Sequence, residues 1–274
     1  MNREKKIYSS FANSLNGDDG AYYKGYVYCK DLFVEKIHFK REWLNLKQIV
    51  QKSLLVNISD AISMNAKPKF ALLGLELPKD ITNKEIKELT LAFKKEAKKW
   101  GISIIGGDTV SGDRIAISIT LISKSKKPLF RSGAKVGDLV AFSGDLGSVK
   151  KDLQSLQKNK KISPTSKFIR PKIRAKFMQK AAPFLNSAMD ISDSLGSDLK
   201  ILLKKSKVGV KFLKKPTKEQ FLSAEEYELL FSFCPKNLKK VKKIAKKTKT
   251  KLTIFAKITE KKKREFISPK PHHF

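Results

Sequence analysis

The chain has few of the residues and motifs that mark several large classes of protein. It has two cysteines, Cys29 and Cys234. Neither lies in a Cys-x-x-Cys pair, so neither a disulfide framework nor a zinc site is expected. It contains no apolar run of about 18 residues, and its N-terminus lacks the apolar stretch of a secretory signal. These absences predict a cytoplasmic protein without a membrane-spanning segment.

The common phosphate-binding signatures are absent as well. The sequence has no Gly-x-x-x-x-Gly-Lys-Ser/Thr segment and neither the His-Arg-Asp nor the Asp-Phe-Gly triplet, which excludes the P-loop and protein-kinase solutions. Its three histidines, His38, His272 and His273, are not spaced like metal ligands. A phosphoryl-transfer enzyme with this sequence would therefore need another architecture.

Acidic residues are scarce relative to basic ones. The chain has 59 Lys and Arg against 26 Asp and Glu, a formal net charge of +33. Many lysines of the last quarter alternate with apolar residues such as Leu238, Val241 and Ile244, which is typical of solvated helix faces. Such a field also attracts phosphate-rich ligands. The alternative from another class is a nucleic-acid-binding protein, whose binding would be sensitive to salt.

Segments of strand and helix character alternate along the chain, which predicts the α/β or α+β class. A helix is predicted over about 46–64, followed by a buried strand that ends at Pro78. An amphipathic helix follows, with Asn83 as its cap and Gly101 as its end. The basic segment 124–135 contains Pro and Gly and is the candidate linker. It predicts two lobes, residues 1–124 and 125–274.

Aspartates in settings of small residues are the main candidates for chemistry. Seven of the 13 aspartates fall in compact settings of small residues, where backbone and carboxylate can approach a common point closely. Oxygen ligands of this kind suit Mg²⁺, which also bridges to substrate phosphates. The seven are Asp18, Asp19, Asp31, Asp60, Asp108, Asp190 and Asp193.

A structural role is the alternative for each of these aspartates taken singly. An aspartate at a turn or helix start is usually a cap, and Asp193 or Ser194 could cap the helix that follows. Two Gly-containing segments could instead meet phosphate through backbone N–H groups. One is Gly106-Gly107, predicted as a turn between two strands, and the other is 143–148, between a strand and a helix.

Seven segments together resemble the thiamine-monophosphate kinases, of the superfamily that includes aminoimidazole ribonucleotide synthetase. They occur in the family's order between residue 17 and about residue 233. They are GDDGA, DLFVEKIHF, KSLLVNISDAISMNAKPKFALLGLELP, IIGGDTVSG, RSGAKVGDLVAFSGDLG, MDISDSLGSDL and EEYELLFSF.

The resemblance implies an N-terminal mixed-sheet domain that binds ATP and metal and forms a dimer barrel, followed by a C-terminal α/β domain. It implies a homodimer in which several Mg²⁺ ions assist direct transfer of the ATP γ-phosphoryl group to thiamine monophosphate. The implied metal ligands are Asp19, Asp31, Asp60, Asp108, Asp190 and Asp193. The implied ATP contacts are Gly107, Asp108, Arg131 and Ser192, and the implied contacts to the thiamine phosphate are His38 and Glu225.

The chain departs from the family pattern at several places. Cys29-Lys30-Asp31 stands where the family often has Ser-Thr-Asp or Thr-Thr-Asp, so Lys30 either replaces a cation's charge or points away. Ser223-Ala224 stands where the family has a Gly pair. Phe274 is the only candidate suggested for the aromatic partner of the thiamine ring. The second enzyme hypothesis is another ATP-dependent synthase of the superfamily, one that acts on a formylglycinamidine or selenide substrate.

Overall fold

A computed structural model describes residues 3–261, and it confirms the α/β class. The helices are α1 Arg3–Ser10, α2 Leu46–Ser63, α3 Asn83–Trp100, α4 Ser148–Gln157, α5 Ala175–Ala181, α6 Leu195–Ser206, α7 Lys218–Leu222 and α8 Leu238–Lys247. The strands are β1 Ala21–Tyr23, β2 Tyr26–Val34, β3 Lys67–Pro78, β4 Ser103–Gly112, β5 Ala116–Lys124, β6 Leu139–Ser143, β7 Ser187–Asp190, β8 Gly209–Phe212, β9 Leu229–Phe233 and β10 Leu252–Thr259.

The strands form two sheets of five. The first has the order β1-β2-β5-β3-β4 and is mixed, because β4 runs parallel to β3 while the other neighbours are antiparallel. The second has the order β7-β9-β6-β10-β8 and is antiparallel throughout. The two sheets lie on either side of the predicted linker, and the boundary between residues 124 and 125 stays a prediction.

The helices that cover the first sheet begin and end at residues with clear local reasons. Asn45 caps α2, and Thr82 caps α3, each with a reciprocal bond from the third helical residue. The predicted cap at Asn83 is therefore wrong by one residue, because the Thr82 side chain is the one that accepts from the backbone. Gly101 ends α3 in the left-handed conformation, at φ 65°.

The second sheet is covered on both faces. Alternate residues of β6 face opposite sides, because successive side chains of a strand alternate. Ala141 belongs to the core cluster that also contains α2 and the first sheet, whereas Val140 and Phe142 pack with Leu199 and Leu202 of α6. Within residues 3–261, no helix combines the length and the apolar character that a bilayer crossing requires.

Gly106 and Gly107 do not form the predicted turn. They lie inside β4, paired with Leu72 and Leu73 of the parallel strand β3. A Cβ atom at Gly107 would come within 1.8 Å of the Leu73 carbonyl oxygen. The glycine therefore permits a close approach of two strands, which local sequence does not distinguish from a turn.

Candidate functional site

Three aspartates from distant parts of the chain meet at one point. Asp19 precedes β1, Asp60 lies in the last turns of α2, and Asp190 ends β7. One carboxylate oxygen from each lies within 4.8 Å of the others. Three carboxylates this close repel each other strongly unless a proton or a cation lies among them.

Asp31 lies beside this group on β2. Burial raises the pKa of its carboxyl, while a hydrogen bond with Asp60 and the charge of Lys30 lower it. Its Oδ2 atom is buried and has no hydrogen-bond partner within residues 3–261. Buried polar atoms are normally paired, so this oxygen is free to ligate a cation.

The electrostatics of the group favour bound positive charge. Burial, followed by repulsion from Asp31, Asp190 and Asp19, raises the pKa of Asp60 well above its ordinary value. Burial and the charge of Asp19 raise the pKa of Asp190 to about 8. Hard oxygen donors with raised pKa values and one unpaired oxygen fit Mg²⁺.

Neighbouring donors fix the orientation of these carboxylates. Ser59 donates a 2.6 Å hydrogen bond to Asp190, and Ser63 donates to Asp19. The Arg131 Nε atom donates to Asp19 at 2.9 Å. Burial lowers the pKa of Arg131, but the adjacent Asp19 carboxylate outweighs it and raises the pKa above its usual range. Arg131 therefore brings a permanent positive charge to the edge of the group.

Two of the predicted metal ligands, Asp108 and Asp193, are outside this group. Among the described residues, the carboxylates that lie close enough together to share one metal ion do not include those of Asp108 and Asp193. Asp108 is exposed on β4, and its carboxylate accepts from the Thr109 backbone N–H at 2.8 Å. Asp193 lies in the short loop before α6. That helix is capped by Ser194, whose hydroxyl accepts from the Ser197 N–H.

The Asp193 loop is joined to the segment that carries Glu225. The Glu225 N–H donates to the Ser192 carbonyl at 2.7 Å, and the Tyr227 N–H donates to the Ile191 carbonyl at 2.9 Å. Glu225 and Tyr227 both have left-handed φ angles, 55° and 50°, which few non-glycine residues adopt. Such strain is retained where the surrounding structure fixes the segment.

His38 and Glu225 line one cavity of about 650 Å³ between the two halves of the chain. Trp43 and Phe168 supply aromatic walls, with ring centres 6.2 Å apart. The His38 Nδ1 atom accepts from the Val34 N–H at 3.0 Å. The two residues predicted to contact the thiamine phosphate are thus in the same pocket. Phe274 lies outside the described residues.

Lys52 is a functional candidate that sequence reasoning missed. It is wholly buried on α2, and its ammonium lies 2.7 Å from the Glu225 carboxylate and 4.1 Å from the centre of the Phe168 ring. Asp60 lies eight residues further along the same helix face, about 12 Å along the axis. One rigid helix therefore connects the pocket to the aspartates.

Two further acidic residues belong to the surroundings of the aspartates: Asp18, one of the seven candidates, and Asp198, which sequence reasoning missed. Asp18 accepts a 2.7 Å hydrogen bond from the Arg131 N–H. Asp198 is buried in α6 and accepts from the Ser194 N–H at 3.1 Å. Burial first, and then the charges of Asp193 and Asp190, raise the pKa of Asp198 well above its ordinary value. The segment Asp-Ser-Leu-Gly-Ser-Asp, residues 193–198, predicted a helix cap. It did not indicate that Asp198 belongs to a charged site.

Two sequence interpretations are resolved by contacts. Lys30 points away from the aspartates, because it lies on the opposite face of β2 from Asp31 and donates to the Ser118 hydroxyl at 2.6 Å. The turn 143–148 joins β6 to α4 as predicted. However, its Gly147 N–H already donates to the buried Glu226 carboxylate at 2.6 Å, so that donor does not meet phosphate.

The chain is similar to known proteins of one family. Residues 17–124 match the model of the AIR synthase related protein, N-terminal domain. Thiamine-monophosphate kinase from Buchnera aphidicola subsp. Schizaphis graminum is 34% identical over 257 residues, covering 85% of this chain and 79% of the relative. The same-named protein of Bacillus subtilis is 31% identical, covering 76% of this chain and 70% of the relative.

A solved structure gives the same fold over nearly the whole chain. The structure described as AaThiL complexed with AMPPCP and TMP superposes with a TM-score of 0.84 at 24% identity, covering 98% of this chain and 94% of that one. At this identity the likeness shows the fold alone. With the curated relatives of more than 30% identity, it leads to one conclusion: the chain belongs to the thiamine-monophosphate kinase family.

Proposed function

We propose that the protein uses ATP to phosphorylate thiamine monophosphate, giving thiamine diphosphate and ADP. The observation that carries this proposal is the placement of Lys52 and Asp60 on one face of α2. Lys52 holds Glu225 in the cavity of about 650 Å³, and Asp60 lies in the group of aspartates. The phosphate acceptor would therefore lie in the cavity, next to a metal-bound triphosphate at the aspartates.

The chemistry needs positive charge more than it needs a base. Both substrates are polyanions, and the acceptor phosphate is already an anionic nucleophile near neutral pH. One of its oxygens forms a bond to the γ-phosphorus of ATP while the bond from that phosphorus to the ADP oxygen breaks. Mg²⁺, when bound, would supply positive charge that offsets the repulsion between the phosphates.

The chain's own residues hold and orient the reactants. Asp19, Asp31, Asp60 and Asp190 would hold the metal, and Asp193 and Asp108 would join them once nucleotide is present. Arg131 would neutralise phosphate charge with its fixed fork of donors. Gly107 and Ser192 would complete the ATP contacts. Positioning and electrostatics would then supply the rate, so the reaction would not require a catalytic His or Cys.

The cavity between the two halves is suited to the thiamine part. His38 would contact the acceptor phosphate. The positively charged thiazolium ring would be attracted to the Glu225 carboxylate and to the face of an aromatic ring. Trp43 and Phe168 are the two candidate aromatic residues. A lysine ammonium lies near each ring: Lys40 is 5.0 Å from the centre of the Trp43 ring and Lys52 is 4.1 Å from the centre of the Phe168 ring.

We also propose a cytoplasmic homodimer. Strand β4 is an edge strand, hydrogen-bonded on one side to β3, and Ile105 and Val110 on it are each 54% exposed. A long edge with exposed apolar residues favours association with a second strand. Light scattering of the purified protein measures the oligomeric state directly, and a monomer at micromolar concentration would contradict this part of the proposal.

A coupled assay tests the activity itself. Purified protein is incubated with ATP, Mg²⁺ and thiamine monophosphate, and thiamine diphosphate and ADP are both quantified. We expect equal amounts of the two products and no product without Mg²⁺. A folded protein that forms no thiamine diphosphate would refute the proposal.

A further inference from the structure

A second cavity, of about 710 Å³, lies apart from the proposed active site. It is bounded by the end of α2, the first residues of β3, the end of α3, the end of β5 and one face of α5. None of the residues assigned above to metal, ATP or thiamine monophosphate lines it. Its floor is apolar and includes the buried residues Ile62, Ala66 and Met178.

Four lysines surround this floor: Lys67, Lys69, Lys124 and Lys126. Lys67 and Lys124 are directly opposite each other in the antiparallel pairing of β3 with β5. Like charges in that position repel and destabilise the sheet. No carboxylate lines the cavity, and none of the four ammonium groups forms an ion pair with another residue in the range 3–261. A bound anion would relieve the repulsion.

The aromatic wall of the cavity is held in a fixed orientation. The Trp100 Nε1 atom donates to the Glu96 carboxylate at 3.3 Å, and this carboxylate also accepts from Gln51 at 2.8 Å and from Lys99 at 2.6 Å. Glu96 is 3% exposed. These three hydrogen bonds fix the Glu96 carboxylate, and its bond with Trp100 in turn orients the indole, which leaves a preformed flat surface beside the four lysines.

We propose that this cavity binds a small organic polyanion that carries a planar ring, with the chemistry of a nucleoside phosphate. The ring would stack on Trp100 above the apolar floor, and the phosphates would lie between the lysines of β3 and β5. Preformed cavities with an apolar floor and a few convergent polar groups are the usual form of small-ligand sites. The site is independent of the activity proposed above.

The two tryptophans of the chain separate the two cavities. Trp43 lies in the proposed thiamine pocket and Trp100 in the second cavity. In the Trp43→Phe variant, all indole fluorescence therefore comes from Trp100. ADP is titrated into this variant in the presence of EDTA, because nucleotide binding at the aspartates needs a divalent cation. We expect saturable quenching that adenosine and pyrophosphate each reproduce only weakly.

The charge requirement is tested by replacing two lysines. Lys67→Gln with Lys124→Gln, in the Trp43→Phe background, should weaken ADP binding about tenfold or more, since charge-assisted hydrogen bonds are lost. The matched control is Lys214→Gln with Lys215→Gln, which removes the same charge from an exposed segment of the other half. The control should bind ADP unchanged.

Three results would overturn the proposal. The first is equal weakening in the two double variants, which would mean a diffuse effect of net charge. The second is no quenching of Trp100, together with no heat of ADP binding to the wild-type protein in EDTA. The third is much tighter binding of a short single-stranded oligoadenylate than of ADP, which would assign the lysines to nucleic acid.

Discussion

Asp60 combines the features expected of a metal ligand rather than a helix cap. It lies near the end of α2, not at its start, and burial and three neighbouring aspartates penalise its charged form. Asp60→Asn removes a ligand while keeping the shape. We expect kcat to fall at least about a hundredfold, with an unchanged or higher melting temperature without metal, because repulsion is reduced.

Asp108→Asn should also abolish turnover, although Asp108 lies away from the other three carboxylates in this chain. Asp108 would act only when nucleotide is bound, so we expect the melting temperature of the Asp108→Asn variant without ligands to equal that of the wild type. Asp80→Asn, at another exposed aspartate, is the control and should keep full activity. Near-normal activity of both Asp60→Asn and Asp108→Asn would mean that these residues are structural.

Lys52 offers a test of how the thiamine pocket is positioned. Lys52→Met keeps the buried volume but leaves the Glu225 carboxylate without its 2.7 Å partner. We expect the KM for thiamine monophosphate to rise about tenfold or more, by loss of a charged hydrogen bond, with little change in the KM for ATP. Steady-state kinetics with each substrate varied in turn makes the measurement.

A structural role for Lys52 predicts a different pattern. The double variant Lys52→Met with Glu225→Gln removes both charges and should recover most of any lost stability, because no buried charge stays unpaired. Because Glu225 is itself proposed to contact the substrate, the reference for the KM is the single variant Glu225→Gln. If Lys52 acts by positioning Glu225, the KM of the double variant should equal that of Glu225→Gln alone, whereas a separate structural role of Lys52 would raise it further.

At the scale of elements, the periodicity of apolar residues and the Pro and Gly residues that end helices and strands predicted much of the fold. The helix predicted over 46–64 is α2 at Leu46–Ser63, and the strand expected to end at Pro78 is β3. Contacts between distant residues could not be predicted from the same signals. Asp19, Asp60 and Asp190 belong to a loop, a helix and a strand. Their settings of small residues made them candidates for a shared metal site together with four other aspartates, and the family resemblance implied six of the seven as ligands.

Lys52 and the glycine pair show why local patterns fail. A lysine in a helix is ordinarily exposed to solvent. Nothing near Lys52 in the sequence predicts that it is buried and paired with the carboxylate of Glu225, which is distant in the chain. Two adjacent glycines ordinarily favour a turn. Their actual role depends on β3, which precedes them by some thirty residues in the chain, so the close approach at Gly107 is invisible to any local window.

The same glycine pair gives a prediction for β4. Gly107→Ala would place a methyl group 1.8 Å from the Leu73 carbonyl oxygen, so β4 must separate from β3 there. Gly106→Ala meets only the end of the Leu72 side chain, at 3.3 Å. We expect Gly107→Ala to lower the free energy of unfolding by at least about 1 kcal/mol and to weaken ATP binding.

Chemical denaturation and ATP titration of both variants make this comparison. Gly106→Ala is the matched control, and its loss of stability should be clearly smaller. Equal losses would mean that backbone freedom, rather than the close approach of β4 to β3, sets the cost.

At the scale of the whole molecule, one core cluster contains residues from both sides of the predicted boundary between residues 124 and 125. One cluster of buried residues joins Ile58 of α2 and Leu121 of β5 to Phe177 of α5 and Phe231 of β9. The hydrogen bonds of Asp18 and Asp19 with Arg131 also cross from one half to the other. Contacts of this extent couple the stabilities of the two halves, because opening one would expose apolar surface of the other.

The chain is therefore expected to unfold in one cooperative transition. Leu121→Ala in the first sheet and Leu230→Ala in the second remove the same side chain from wholly buried positions. Each should cost about 2–5 kcal/mol. Scanning calorimetry should give a single transition for both variants, moved to lower temperature in each case. If the two halves were thermally independent, each substitution would shift one transition and leave a second at its wild-type temperature.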